Sequence, residues 1–314
     1  MKRRLLLQAA GAAASVAAVP PLLATTVIAY GYTATTDYAS LFAAVDKGMF
    51  AKRGLEVQPQ LITINPTIPA ALQSGTLQIA GPSSTVFLQA VDAGLDHVVL
   101  GGGGSYGGGR PPSAALVARP GLSLREPKDL VGKKIGIPGV GATLHVTFRA
   151  WLLAGGVDPR QVRFVEMPFA QQADVLRSGA IDGAISVDPF LSRIIESGTG
   201  TLAANYSASM PDGLPTIVHA TTRAWAERNS SAATAFREAI IEGAAFVNDP
   251  ANDAEVRVLI GKYNRVPEAF LPRIIILRPA PVVAAAQLRY WIGLMDAQDM
   301  LKKKLDPAQL IFAS

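Results

Sequence analysis

The 314-residue chain contains no cysteine. Disulfides, thiolate metal sites, a cysteine nucleophile and a lipid-anchored N-terminal cysteine are therefore excluded, and a chain without thiols crosses an oxidising compartment without mispairing. Charge is scarce as well. Charged residues make up 17% against 49% hydrophobic, which excludes disorder and supplies an ample core. Beyond the N-terminus, no apolar run stays free of charge, Pro and Gly for the roughly 20 residues that a membrane span needs. Nucleophile elbow, zincin helix and thiol pair are all missing. His97 and His219 have no His, Glu or Asp at metal-ligand spacing. Neither metal nor cofactor is expected, and no catalytic residue stands out.

What is present begins with an address label. Lys2-Arg3-Arg4, the apolar stretch Leu5 to Ala18 and small residues near Ala17 or Ala24 read as an export signal, Sec or twin-arginine, over residues 1–24. Without Lys2, Arg3 and Arg4 the balance is 26 basic against 24 acidic residues, so nucleic acid is not implied. A periplasmic monomer that is not membrane-inserted after signal removal is expected.

The chain then repeats itself. Leu72-Gln73-Ser74-Gly75-Thr76-Leu77-Gln78-Ile79-Ala80 returns as Leu176-Arg177-Ser178-Gly179-Ala180-Ile181-Asp182-Gly183-Ala184, a helix end, a turn and a strand start each time. Apolar periodicity gives alternating strands and helices on both sides of this repeat. Strands are expected over 26–32, 57–62, 77–80, 97–100, 114–118, 135–138, 162–167, 181–187 and 216–220. Among the helices expected are 38–52, 68–74, 143–153, 170–177, 224–246, 253–263 and 282–304. The fold class is α/β, with two doubly wound, mostly parallel sheets: a first lobe over 25–118, a second over 119–217, and a return to the first over 218–314. A crevice between similar lobes holds a small molecule at the carboxyl ends of the strands.

Three loops should converge there, each at a helix start: Thr35-Thr36-Asp37-Tyr38, Pro82-Ser83-Ser84-Thr85 and Gly141-Ala142-Thr143. Helix starts offer unpaired N–H groups and about half a positive charge, which suits a sulfonate, carboxylate or nitrate. The alternative is that the hydroxyls only cap their own helices. Thr36, Asp37, Ser83, Ser84, Ala142, Thr143 and His145 are the polar and close-approach candidates, and Tyr38, Tyr106 and Phe190 would enclose an organic part. Asp188 either attracts an amine or caps the helix after Pro189. Arg110 is expected in solvent. The run Gly102-Gly103-Gly104-Ser105-Tyr106-Gly107 spells a dinucleotide fingerprint, but it leads into a strand instead of opening a helix, so nucleotide binding fails on context.

Leu41-Phe42-Ala43-Ala44-Val45-Asp46-Lys47-Gly48-Met49-Phe50, Arg53-Gly54-Leu55-Glu56-Val57, Ala71-Leu72-Gln73-Ser74-Gly75, Asp129-Leu130-Val131-Gly132-Lys133-Lys134-Ile135 and Gly141-Ala142-Thr143-Leu144-His145 resemble the solute-binding proteins of ABC importers for alkanesulfonates, taurine and nitrate, a family that also holds binders of the thiamine pyrimidine precursor. The resemblance implies a type II periplasmic binding fold with a two-segment hinge. It also implies capture of a small anionic or zwitterionic solute, and an ABC permease with its ATPase as partner. The chain departs from the pattern at Val187-Asp188-Pro189-Phe190 and at Ser40. Two other readings stand beside this one: a periplasmic or thiamine-precursor-synthase-like enzyme acting on a heterocycle, and a sensor that docks on a receptor.

Overall fold

The computed structural model describes residues 25–107 and 114–313. The expected export signal and Arg110 lie outside the described residues. In chain order the first half comprises β1 (Thr26–Tyr32), α1 (Ala39–Asp46), β2 (Leu55–Leu61), α2 (Ile68–Gln73), β3 (Ile79–Ala80), α3 (Ser84–Asp92) and β4 (His97–Gly102). There follow β5 (Ala114–Ala118), β6 (Lys134–Ile137), α4 (Thr143–Ala154), β7 (Arg163–Glu166), α5 (Phe169–Arg177), β8 (Gly183–Val187), α6 (Phe190–Glu196) and β9 (Thr201–Ala204). The chain closes with β10 (Val218–Thr222), α7 (Arg223–Arg228), α8 (Ser230–Asn248), α9 (Asp253–Asn264) and α10 (Ala285–Asp296).

The strands form two five-stranded sheets of one pattern, β2-β1-β3-β10-β4 and β7-β6-β8-β5-β9. In each, the first three positions run parallel, and the fourth, β10 or β5, is an antiparallel strand contributed by the crossing chain. The repeat read in the sequence is the α2–β3 corner of one sheet and the α5–β8 corner of the other. Gly75 and Gly179 close the two helices with φ of 77° and 75°, a left-handed turn that a Cβ disfavours.

Alternating side chains reach opposite faces of each sheet. Ile28, Tyr30 and Tyr32 enter a core under α1, α8 and α9, whereas Ala80, Val99 and Ala220 enter a second core with Phe87 of α3 and Trp291 of α10. In the other sheet Leu116 and Ile185 pack towards α4, and Val117 and Ala184 towards Leu176 and Ile194. Both faces of each sheet are thus covered, as its near-continuous apolar strands require.

Several boundaries differ from the sequence reading. Ala114–Ala118, placed at the end of the first lobe by its position in the chain, is hydrogen-bonded between β8 and β9 of the second sheet. The helix expected over 38–52 stops at Asp46, because Gly48 takes a φ of 68° and turns the chain. The helix expected over 224–246 breaks into α7 and α8 at Asn229, and the one expected over 282–304 spans only Ala285–Asp296 and is followed by Asp299 at a φ of 55°.

Candidate functional site

The carboxyl ends of β1, β3 and β6 face a narrow cavity of about 60 Å3 between the two sheets. The expected loops do meet there: Thr35 and Asp37 come from the first, Ser83 from the second, and Ala142 and Thr143 from the third. Asn65 after β2, Tyr106 after β4 and Thr216 before β10 supply further polar walls, and Pro138, Leu144, Phe169, Val187, Ile217 and Leu277 supply apolar ones.

Hydrogen bonds stitch these loops across the cavity. Ser83 Oγ accepts from Val86 N at 3.4 Å, capping α3, and from Thr143 N at 3.3 Å in the opposite lobe. Thr85 Oγ1 donates to Gly141 O at 2.7 Å, and Thr143 Oγ1 to Thr216 O at 2.9 Å. Helix α4 has no side-chain cap of its own at Ala142. Its first amide is served from the other sheet. Asn65 is fully used, donating to Thr33 Oγ1 at 2.9 Å and Gly81 O at 3.2 Å while accepting from Ser83 N at 2.8 Å, so it holds two loops in register.

Asp37 is the one acidic side chain among the described residues that line the cavity, and it is 5% exposed. Thr35 Oγ1 donates to its Oδ2 at 2.5 Å and Thr216 Oγ1 donates to its Oδ1. Burial pushes its carboxyl above the usual carboxylate range, and the hydroxyls of Thr216 and Thr35 oppose that push.

Other candidates support the walls without lining them. Tyr38 is buried under the first loop, donates to Gly81 O at 2.5 Å, and meets Tyr30 and Tyr32 edge-on. Thr36 and Ser84 are fully buried. Thr36 N donates to Asp188 O, and Ser84 Oγ donates to Pro215 O at 2.7 Å. His145 does not line the cavity. Its Nδ1 accepts from Gly141 N at 3.0 Å, its ring meets Phe164 edge-on, and burial, with Arg149 adding, lowers its pKa to about 4. Asp188 takes the capping alternative: Oδ1 accepts from Ser192 N at 3.0 Å and Oγ at 2.8 Å, and Oδ2 accepts from Ile275 N at 2.5 Å. Phe190 stacks behind Phe169 with centroids 5.4 Å apart and faces a neighbouring cleft with Arg193 and Phe270. Asn65 and Thr216 went unread in the sequence. Asn65 lies four residues past the carboxyl end of β2 and could have been found from that placement, whereas Thr216 lies in a crossing segment whose path no local pattern fixes.

Residues 114–261 match the model of the NMT1-like family. The bicarbonate-binding protein CmpA of Synechococcus is 26% identical over 279 residues, covering 81% of this chain, and the match spans 61% of the relative's length. The taurine-binding periplasmic protein of Escherichia coli is 24% identical over 257 residues, 79% of this chain and 76% of the relative. The alkanesulfonate-binding protein SsuA of Xanthomonas axonopodis, solved with MOPS, superposes with a TM-score of 0.77 at 18% identity, covering 91% of this chain and 98% of that one. The chain is similar in sequence to the first two of these proteins and shares its fold with the third. Its fold is the periplasmic binding fold that the sequence predicts, and the resemblance read from its motifs is borne out.

Proposed function

We propose that the protein is the solute-binding component of an ABC importer, exported to the periplasm, where it closes over a small anionic or zwitterionic organic molecule and presents it to a permease and its ATPase. The observation that carries this reading is the cavity between the two sheets, walled by loops of both and bridged by Ser83–Thr143, Thr85–Gly141 and Thr143–Thr216. Contacts made only when the lobes meet give a solute its specificity through closure. The lobes we propose follow the sheets: residues 25–107 with 218–313, and residues 114–204. The opening turn of α4 suits an acid group, because helix-start amides carry partial positive charge. The relatives named above are binding proteins, which favours capture over catalysis. Among the described residues no helix is long and apolar enough to cross a membrane, in keeping with a protein that meets its permease from outside. We take the working form to be a monomer without nucleic acid.

A thermal-shift screen over sulfonates, aromatic carboxylates, nitrate and pyrimidines tests the reading. A true solute at 100 times its dissociation constant adds about 2.7 kcal/mol of stability. Absence of any shift at millimolar concentration contradicts it.

A further inference from the structure

We propose that the captured solute carries a protonated amine and that Asp37 is its counter-ion. The inference rests on the solute-binding reading and names the chemistry of one end of the ligand. Hydrogen-bond capacity at the cavity decides it. Thr35 and Thr216 point their hydroxyl protons at Asp37, Thr143 donates to Thr216 O, and Asn65 donates to Thr33 and Gly81 O. Tyr106 is paired with Thr147 at 3.2 Å. These side-chain donors are committed within the protein, and the Ser83 hydroxyl proton has Thr85 Oγ1 at 3.4 Å as its acceptor.

Acceptor capacity is what remains. An ionised carboxylate has about four lone-pair sites, and Asp37 shows one hydroxyl partner on each oxygen together with its own backbone N–H, which leaves one site open. Lys, Arg and His are absent from the described residues that line the cavity. A buried carboxylate without a cation is costly, and a ligand ammonium supplies both the missing charge and the missing donor. Thr216 adds a second reason. Its single hydroxyl proton lies within reach of Asp37 Oδ1 and of Gly104 O, the latter at 2.6 Å, so a proton on Asp37 in the unliganded site lets Thr216 donate to Gly104. An entering amine then displaces that proton to solvent. The other titratable groups that the carboxyl meets, Tyr38 and Tyr106, are held neutral by burial. The arrangement differs from a pocket built for a bare anion, which would place a cation or spare donors where this chain places a carboxylate.

Matched pairs that differ by the amine test the proposal by calorimetry: taurine against ethanesulfonate, and β-alanine against propionate. In at least one pair the amine is expected to bind tenfold or more tightly than its partner. In Asp37→Asn that ratio is expected to fall to near one. Anions that bind as tightly as their amino partners, or an amine preference that survives Asp37→Asn, overturn the proposal and leave the solute-binding reading intact. Failure of every probe counts against both. Should Asp37→Asn not fold, the ratio in the wild-type protein decides alone.

Discussion

Asp37 and Asp188 are both buried acids close to the cavity, and their partners separate them. Asp188 spends its oxygens on three donors that start α6 and tie it to Ile275, whereas Asp37 keeps room on the cavity side. Both were legible in the sequence as candidates, because each stands in a loop that leads from a strand into a helix start. Which of them faces ligand was not legible, because it depends on where the segment around Ile275 docks, far away in sequence. Histidines carry the pH dependence. Burial lowers His219 to about 3, where its Nδ1 meets the Tyr30 hydroxyl at 2.5 Å, and lowers His145 to about 4. An unfolded histidine takes up its proton near pH 6.5, so between that value and about pH 4 the unfolded chain binds protons that the native chain refuses. Stability is therefore complete above pH 6.5 and falls with acidification. Asp37 and Asp188, raised by burial, act in the opposite sense and offset part of the loss. Urea unfolding of His145→Gln and His219→Gln between pH 6 and 5 isolates the histidine contribution. Each variant should have a slope flatter than wild type by about 1.4 kcal/mol per pH unit, and unchanged slopes would refute the assignment.

At the scale of elements, α4 borrows its cap. Ala142 has no side chain that can accept from the helix, and Ser83 of the other lobe does so while also capping α3. Ser83→Ala should cost about 1 kcal/mol of stability as an ordinary lost cap, and on the proposed closure should weaken solute binding as well, because Ser83 joins α3 to Thr143 across the cavity. Thr222→Ala is the control. Thr222 caps α7 at 3.2 Å, far from the cavity, so its loss should lower stability and leave affinity alone. Equal effects of the two variants on affinity would contradict a role for Ser83 in closure. Gly141 belongs to the same junction. At a φ of 75° it avoids left-handed strain, and a Cβ there would collide with the Gln89 amide of the facing helix. The duplicated helix–turn–strand corner was readable because identical turn chemistry recurs with the same apolar spacing, as Gly75 and Gly179 show. Helix ends at Asp46 and Asp296 were not, because apolar periodicity runs past them and only the backbone at Gly48 and Asp299 marks the stop.

For the whole molecule, the shared strand order of the two sheets places two sets of strand ends opposite one another, and the cavity follows from that placement. Alternating strands and helices announced both sheets, and the expected crevice lies where the strands end. The membership of β5 escaped the sequence, because an apolar five-residue strand fits either sheet equally well, and its pairing with β8 is set by the path of the crossing chain. Closure around a solute is the central claim, and a cysteine-free chain permits a clean measurement of it. Gln60 on β2 and Arg163 on β7 are exposed positions on the edge strands of the two sheets. Cysteines introduced at both, carrying spin labels, report the distance between the lobes by pulsed electron resonance. A broad or long distance in the free protein is expected to narrow and shorten when solute saturates the site, and distance distributions that coincide with and without bound solute would refute closure.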